Sequence, residues 1–347
     1  MTYLPRGLDA ILSQGALGVT IFFVLSGFLL TCSHLKDFTF QRLPTIPYYR
    51  NFLLKRFARI YPVYFAGLVL TLSSSIMLND VPVGLSTLLI LNITMLHSWF
   101  PTLAMQWYGS GSWSISTEVF FYLVFPLALP LFLRIKHRTT LFLALGALVI
   151  VAAAPGLLHN FAFGDPSVWG FQITYPFPPA RLSEFLIGIL TGLLVLRFNW
   201  RVPVLIMLGL LVVGTIYLAL TGFRLQGYVA HNWIMLPVIV SVVACLASDP
   251  QNFILRWLGA PWMGYLGRIS YSFYILQLAI LVVFDTLSKR GVVQPDALWV
   301  MPILLLFNLI LAAVMYEFLE KRMHKMVLAW LMPARKLQPN VLEESPS

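Results

Sequence analysis

Uninterrupted apolar runs of about 17–25 residues recur along most of this chain, and a run of that length is what a helix needs to cross a hydrocarbon core of about 30 Å. Runs such as LFLALGALVIVAAA (141–154) do not alternate as the strands of a barrel would. Lipid offers no partner to backbone N–H and C=O groups, so the spans must be helices that satisfy their own backbone. Composition agrees. Only 10% of the residues are charged and mean hydropathy is +0.83, whereas a soluble domain is about 25% charged. A soluble globular fold is excluded, and the expected fold is all-α, a polytopic transmembrane helical bundle.

Ten apolar segments can be read, at 17–34, 58–78, 83–99, 113–133, 140–158, 181–196, 203–220, 231–248, 266–287 and 298–316. They form one membrane-embedded domain over 1–325, followed by a cytoplasmic tail over 326–347. The net charge of +10 does not point to nucleic acid, because Lys and Arg sit in short loops and no long basic tract exists. Cys32 and Cys245, the only cysteines, lie in or beside apolar runs and suggest neither a disulfide framework nor a metal site.

Charge sets the orientation. Of the 23 Lys and Arg, 18 fall in five regions: the loop 35–59, then 134–138, 197–201, 256–268 and 321–336. The positive-inside rule places all five, with the C-terminus, on the cytoplasmic side of a cell (inner or plasma) membrane. Ten strictly alternating spans cannot do this, so one segment must enter and leave on the same face. The stretch 83–112 is the choice, since its second half, PTLAMQWYGSGS, is rich in Gly, Ser and Pro. Irregular backbone survives at membrane depth only beside protein or a water-filled cavity. Nine full spans remain, with the N-terminus outside.

Five stretches carry candidate chemistry. In GALGVTIFFVLSGFLL, Ser26 and Gly27 interrupt an apolar run; they either let helices pack closely or let a ligand approach the backbone. In KRFARIYPVYF, Arg56, Arg59 and Pro62 share one helical stripe. Its guanidinium pair suits phosphates, though lipid headgroups or topology would also explain it. In GSWSISTEVFFYLVFP, Glu118 lies inside an apolar helix near Trp113, Ser114 and Tyr122. A buried carboxyl is costly there and is a candidate for acid–base work or for a structural ion pair. In PPARLSEFLIGILTG, Arg181 and Glu184 at i, i+3 can form a local ion pair at the outer membrane boundary. In LGRISYSFYILQLAI, Tyr271, Tyr274 and Gln277 make a polar stripe within a span. The six histidines are scattered, and His97 alone falls inside the re-entrant segment.

Together FFVLSGFLL, KRFARIYP, WSISTEVFFY, RLSEFLIG, GRISYSFYI and the ending YEFLEKRM resemble the membrane-bound acyltransferase 3 family, over nearly the whole chain. The resemblance implies a helical bundle that takes an acyl group, commonly acetyl, from cytoplasmic acyl-coenzyme A. The acyl group then reaches a hydroxyl of a carbohydrate, glycolipid or similar acceptor, as in polysaccharide modification. Carried over onto this sequence, Arg56, Arg59, Ser26 and Gly27 would meet the donor and Glu118 would be catalytic. Trp113, Ser114, Tyr122, Arg181, Glu184, Tyr271 and Gln277 would line the acceptor site. No metal is implied. There are two departures from the family pattern. Its first helix, with an Arg and a catalytic His, has no counterpart before Met1, so a truncated start is expected, and Gln277 stands where the family usually has His. The rival readings are a small-molecule transporter and a catalytically inactive family member. No internal repeat, and no second acidic residue deep in a span, speaks for transport.

Overall fold

The computed structural model describes residues 15, 17–38, 45–162, 175–221, 231–248, 253–293 and 299–331. The N-terminal stretch, Arg42, Arg335 and Lys336 lie outside the described residues. Among the described residues, the α-helices of nine or more residues are α1 (Leu17–His34), α2 (Ile46–Met77), α3 (Leu85–Ile93), α4 (Gly109–Leu133), α5 (Arg138–Ala162), α6 (Pro178–Phe198), α7 (Val204–Thr221), α8 (Asn232–Ser248), α9 (Pro261–Lys289), α10 (Val300–Met315) and α11 (Lys321–Leu331). Among the described residues there is no strand. Seven helical stretches among the described residues are long and apolar enough to cross a membrane, and Arg138–Ala154 and Asn232–Ser248 are shorter apolar helices. The chain is a multi-pass membrane protein.

Two element boundaries differ from the sequence reading. The basic stretch 35–59 is not all loop, because α2 begins at Ile46 and carries Arg50, Lys55, Arg56 and Arg59 on its first turns. Pro47 at the start of the helix explains why it begins there: its missing N–H is not needed and its φ is preset. At the other end, a π-turn over Tyr316–Glu320 joins α10 to α11, which runs to Leu331, past the expected start of the tail.

Helices α4 and α6 form the centre. Both bury most of their length, whereas α7 buries only Met207, Gly214 and Leu218 and turns Leu205, Ile206 and Val213 outward, as a lipid-facing helix should. Lipid tails are as apolar as Leu, so close packing and polar contacts, rather than water exclusion, hold such helices together. The tightest crossing joins α1 to α6. A Cβ on Gly27 would collide with the Phe185 carbonyl, and one on Gly188 with the Val24 carbonyl. Thr20 meets Arg181, and Gly192 lies against Thr31. The register rises together on both helices, so α1 and α6 run parallel.

Parallel packing recurs between α1 and α4, where Phe23 meets Trp113 and His34 meets Phe125. Arg197 at the end of α6 donates to the Leu133 and Ile135 carbonyls at the end of α4. With α2 and α5 antiparallel between them, the segment joining α2 to α4 must return to the face it left. It does. Tyr61 and Tyr64 on α2 reach the carbonyls of Ile93 and Asn92 at the inner tip of α3, while Trp107 on the way back donates to Ser75 near the end of α2. The re-entrant expectation for 83–112 therefore holds, with α4 already begun at Gly109. Gly84, at φ 72°, makes the tight turn into α3. At the tip the chain passes through a left-handed Met95. Its carbonyl accepts from Ser116, and Ser98 donates to the Trp113 carbonyl. Side chains thus satisfy the irregular backbone that lipid could not.

Candidate functional site

The first polar cluster lies where α1, α2 and α4 meet. Glu118 is 5% exposed, and Ser26 Oγ donates to its Oε1 at 3.2 Å. The Tyr122 hydroxyl, one turn along α4, donates to the same oxygen. Arg56 packs its guanidinium over the rings of Phe52 and Tyr122, at 5.4 and 5.7 Å from their centroids. Its Nε is buried and has no hydrogen-bond partner among the described residues. Arg59 is exposed, one turn further along α2. Four of the expected residues therefore converge: Ser26, Arg56, Glu118 and Tyr122. Gly27 does not face this cluster, because its open side is filled by α6.

The second cluster involves Arg181 and Glu184. They pair at 3.1 Å, and both side chains are 1% exposed, inside the bundle. The expected local ion pair therefore forms, and it is buried in protein. Arg181 and Glu184 lie in the first two turns of the helix that begins at Pro178, where other elements cover them. Arg181 also donates to Thr20 at 3.0 Å and is enclosed by the rings of Phe23, Trp113 and Tyr175. Asn232 of α8 donates to Glu184 Oε1 at 2.7 Å. The pair cancels its own charge, and its hydrogen-bonding neighbours Thr20 and Asn232 lie on α1 and α8. The cluster is thus a joint among α1, α6 and α8.

The polar stripe of α9 is partly consumed by packing. Tyr271 donates to the Ile60 carbonyl at 2.8 Å, and Tyr274 lies 2.7 Å from Ser114. Ser272 donates at 2.6 Å to Glu320, which the π-turn swings toward α9. Gln277 is only partly buried and does not join the Glu118 cluster. His97 is fully buried at the re-entrant tip, with Nε2 3.3 Å from Ser112 Oγ. Sequence reasoning missed Thr20 and Asn232. Neither belongs to a local pattern, and their partners are 161 and 48 residues away.

A groove of about 510 Å³ adjoins the first cluster, between α2, the tip of the re-entrant segment and α4. Leu53, Ile60, Met95 and Val119 form its walls, and Arg56 and Tyr122 form its polar end.

Comparison with known proteins gives a consistent result. A family described as "Acyltransferase domain" matches residues 3–317. Acyltransferase MdmB of Streptomyces mycarofaciens is 25% identical over 281 residues, covering 78% of this chain and 69% of that protein. O-acetyltransferase OatA of Staphylococcus aureus (strain NCTC 8325 / PS 47) is 23% identical over 349 residues, covering 90% of this chain. The chain spans about half of OatA, 53% of its length. A putative O-acetyltransferase, SACOL0978, of Staphylococcus aureus (strain COL) is similar at 23% identity. No solved structure matches.

Proposed function

Since the chain belongs to this family of membrane acyltransferases, we propose that it moves an acyl group, acetyl in the simplest case, from acyl-coenzyme A to a hydroxyl of a carbohydrate or similar acceptor. The observation that carries this reading is the Glu118 cluster: a buried carboxylate held by Ser26 and Tyr122, beside the half-buried guanidinium of Arg56. The names of the relatives, acyltransferase and O-acetyltransferase, support acyl transfer to oxygen.

On this reading the end of the bundle that carries Lys36, Arg134 and Arg201 faces the cytoplasm, as does the C-terminus, in a plasma or inner membrane. Arg56 and Arg59 receive the donor's phosphates at that end. Glu118 takes the proton of the acceptor hydroxyl. The hydroxyl oxygen attacks the thioester carbonyl, so that a C–O bond forms as the C–S bond breaks, and sulfur leaves as the coenzyme A thiol once protonated. Ser26 and Tyr122 fix the carboxylate, so that little reorganisation is needed at the moment of transfer. The acceptor approaches from the opposite end, past Trp113 and Ser114.

Purified protein in lipid nanodiscs, given radiolabelled acetyl-coenzyme A, tests the proposal. Wild type binds the donor, and Arg56→Ala weakens binding by about tenfold, the scale of one charge-assisted contact. Glu118→Gln keeps binding but slows transfer by roughly 10²–10⁴-fold. Absence of binding by wild type, or equal binding by Arg56→Ala, would overturn the donor reading.

A further inference from the structure

The groove beside Tyr122 is larger and more apolar than an acetyl group needs. It runs along α2 from Leu53 to Tyr61, about 12 Å at roughly 1.5 Å of rise per residue. Its volume of about 510 Å³ is that of a site for a whole small ligand. The polar groups at its rim are already spent. Tyr61 donates to the Ile93 carbonyl, and Thr94 donates to the Ile90 carbonyl at 2.7 Å. What remains is hydrocarbon, with one cation at one end: Arg56, whose Nε has no partner among the described residues. The outer lip is formed by Phe57, Ile93 and Leu123, which are 46%, 42% and 43% exposed on membrane-embedded elements, so the groove opens sideways toward lipid. At its polar end the Tyr122 ring forms the wall, and the hydroxyl of that ring is the one held by Glu118.

We propose that this groove seats the acyl chain of the donor, and that the protein accepts medium-length acyl groups in preference to acetyl. The apolar lining matches a flexible acyl chain, and Arg56 beside it matches the phosphates that the pantetheine arm links to the thioester. A sugar would find no free hydrogen-bonding group along the walls. The inference rests on the donor reading above, and adds to it a chain length and a place for the chain.

The test measures binding of acetyl-, butyryl- and octanoyl-coenzyme A to the full chain in nanodiscs. Each buried methylene can tighten binding by up to about fourfold. Octanoyl-coenzyme A is expected to bind at least tenfold more tightly than acetyl. Leu123→Trp, which fills the groove from its lip, flattens the series, and Ile93→Trp does the same from the opposite lip should the first variant fold poorly. A second arm uses palmitic acid bearing a diazirine, photolysed in place, with the labelled peptides identified by mass spectrometry. Label should fall on 53–61, 93–95 and 119–123 and be lost in Leu123→Trp. A flat series in wild type, or a steep one that survives both plugs, overturns the proposal while leaving the donor reading intact. If no thioester binds, the donor reading fails. The chain-length proposal falls with it, and the diazirine arm then shows only whether the groove holds a fatty chain of another kind.

Discussion

At the scale of single residues, the Arg181–Glu184 pair is the most consequential polar feature outside the candidate site. Two charges 1% exposed carry a desolvation cost that their mutual attraction and the contacts with Thr20 and Asn232 must offset. Removing one partner strands the other. Arg181→Met is expected to destabilise the bundle by about 3–5 kcal/mol, read as a fall in apparent Tm on the order of 10 °C in a thermal scan. The double variant Arg181→Met/Glu184→Leu should recover most of that loss, because no buried charge is left unpaired. If the double variant is as unstable as the single one, the pair's hydrogen bonds rather than its charge balance hold the joint.

At the scale of elements, the parallel crossing of α1 and α6 depends on glycines at which the backbones touch. Adding one methyl group at Gly188 must push Val24 away. Gly188→Ala should therefore cost about 1–3 kcal/mol, the usual range for overpacking. Gly146→Ala on α5 is the matched control, since a Cβ there meets nothing within 4 Å, and its better helix propensity makes it neutral or slightly stabilising. Thermal stability of the two variants in the same detergent checks the contrast. The sequence left two readings open for Gly27, packing or a ligand's approach. The position of the Phe185 carbonyl supports the first. That could not be read earlier, because the sequence does not say which helix lies opposite.

At the scale of the whole molecule, the re-entrant segment decides which way every later helix points. Cys32 and Cys245 are the two native cysteines. With both replaced, single cysteines at Asn79 and Gln106 are expected to react with a membrane-impermeant maleimide from one side, and cysteines at Lys36 and Arg201 from the other. If Asn79 and Gln106 label from opposite sides, the segment crosses the membrane and the parallel packing of α1, α4 and α6 is wrong.

The apolar run lengths determined by themselves that the chain is a helical membrane bundle, because lipid forces each span to satisfy its own backbone. The distribution of Lys and Arg determined that one segment turns back, because their placement is a global count that no local contact can alter. Helical spacing likewise put Glu118 beside Tyr122 and Arg181 beside Glu184. Tertiary structure alone decided the rest. It brought Ser26 to Glu118 across 92 residues and Arg181 to Thr20 across 161. It also sank the Arg181–Glu184 pair into the interior and opened the groove beside Arg56. These follow from which helix faces lie against one another, and in a membrane nearly every face is apolar. Hydrophobicity therefore cannot choose the partner there, and the choice falls to glycine contacts and buried hydrogen bonds, which exist only once the helices have met.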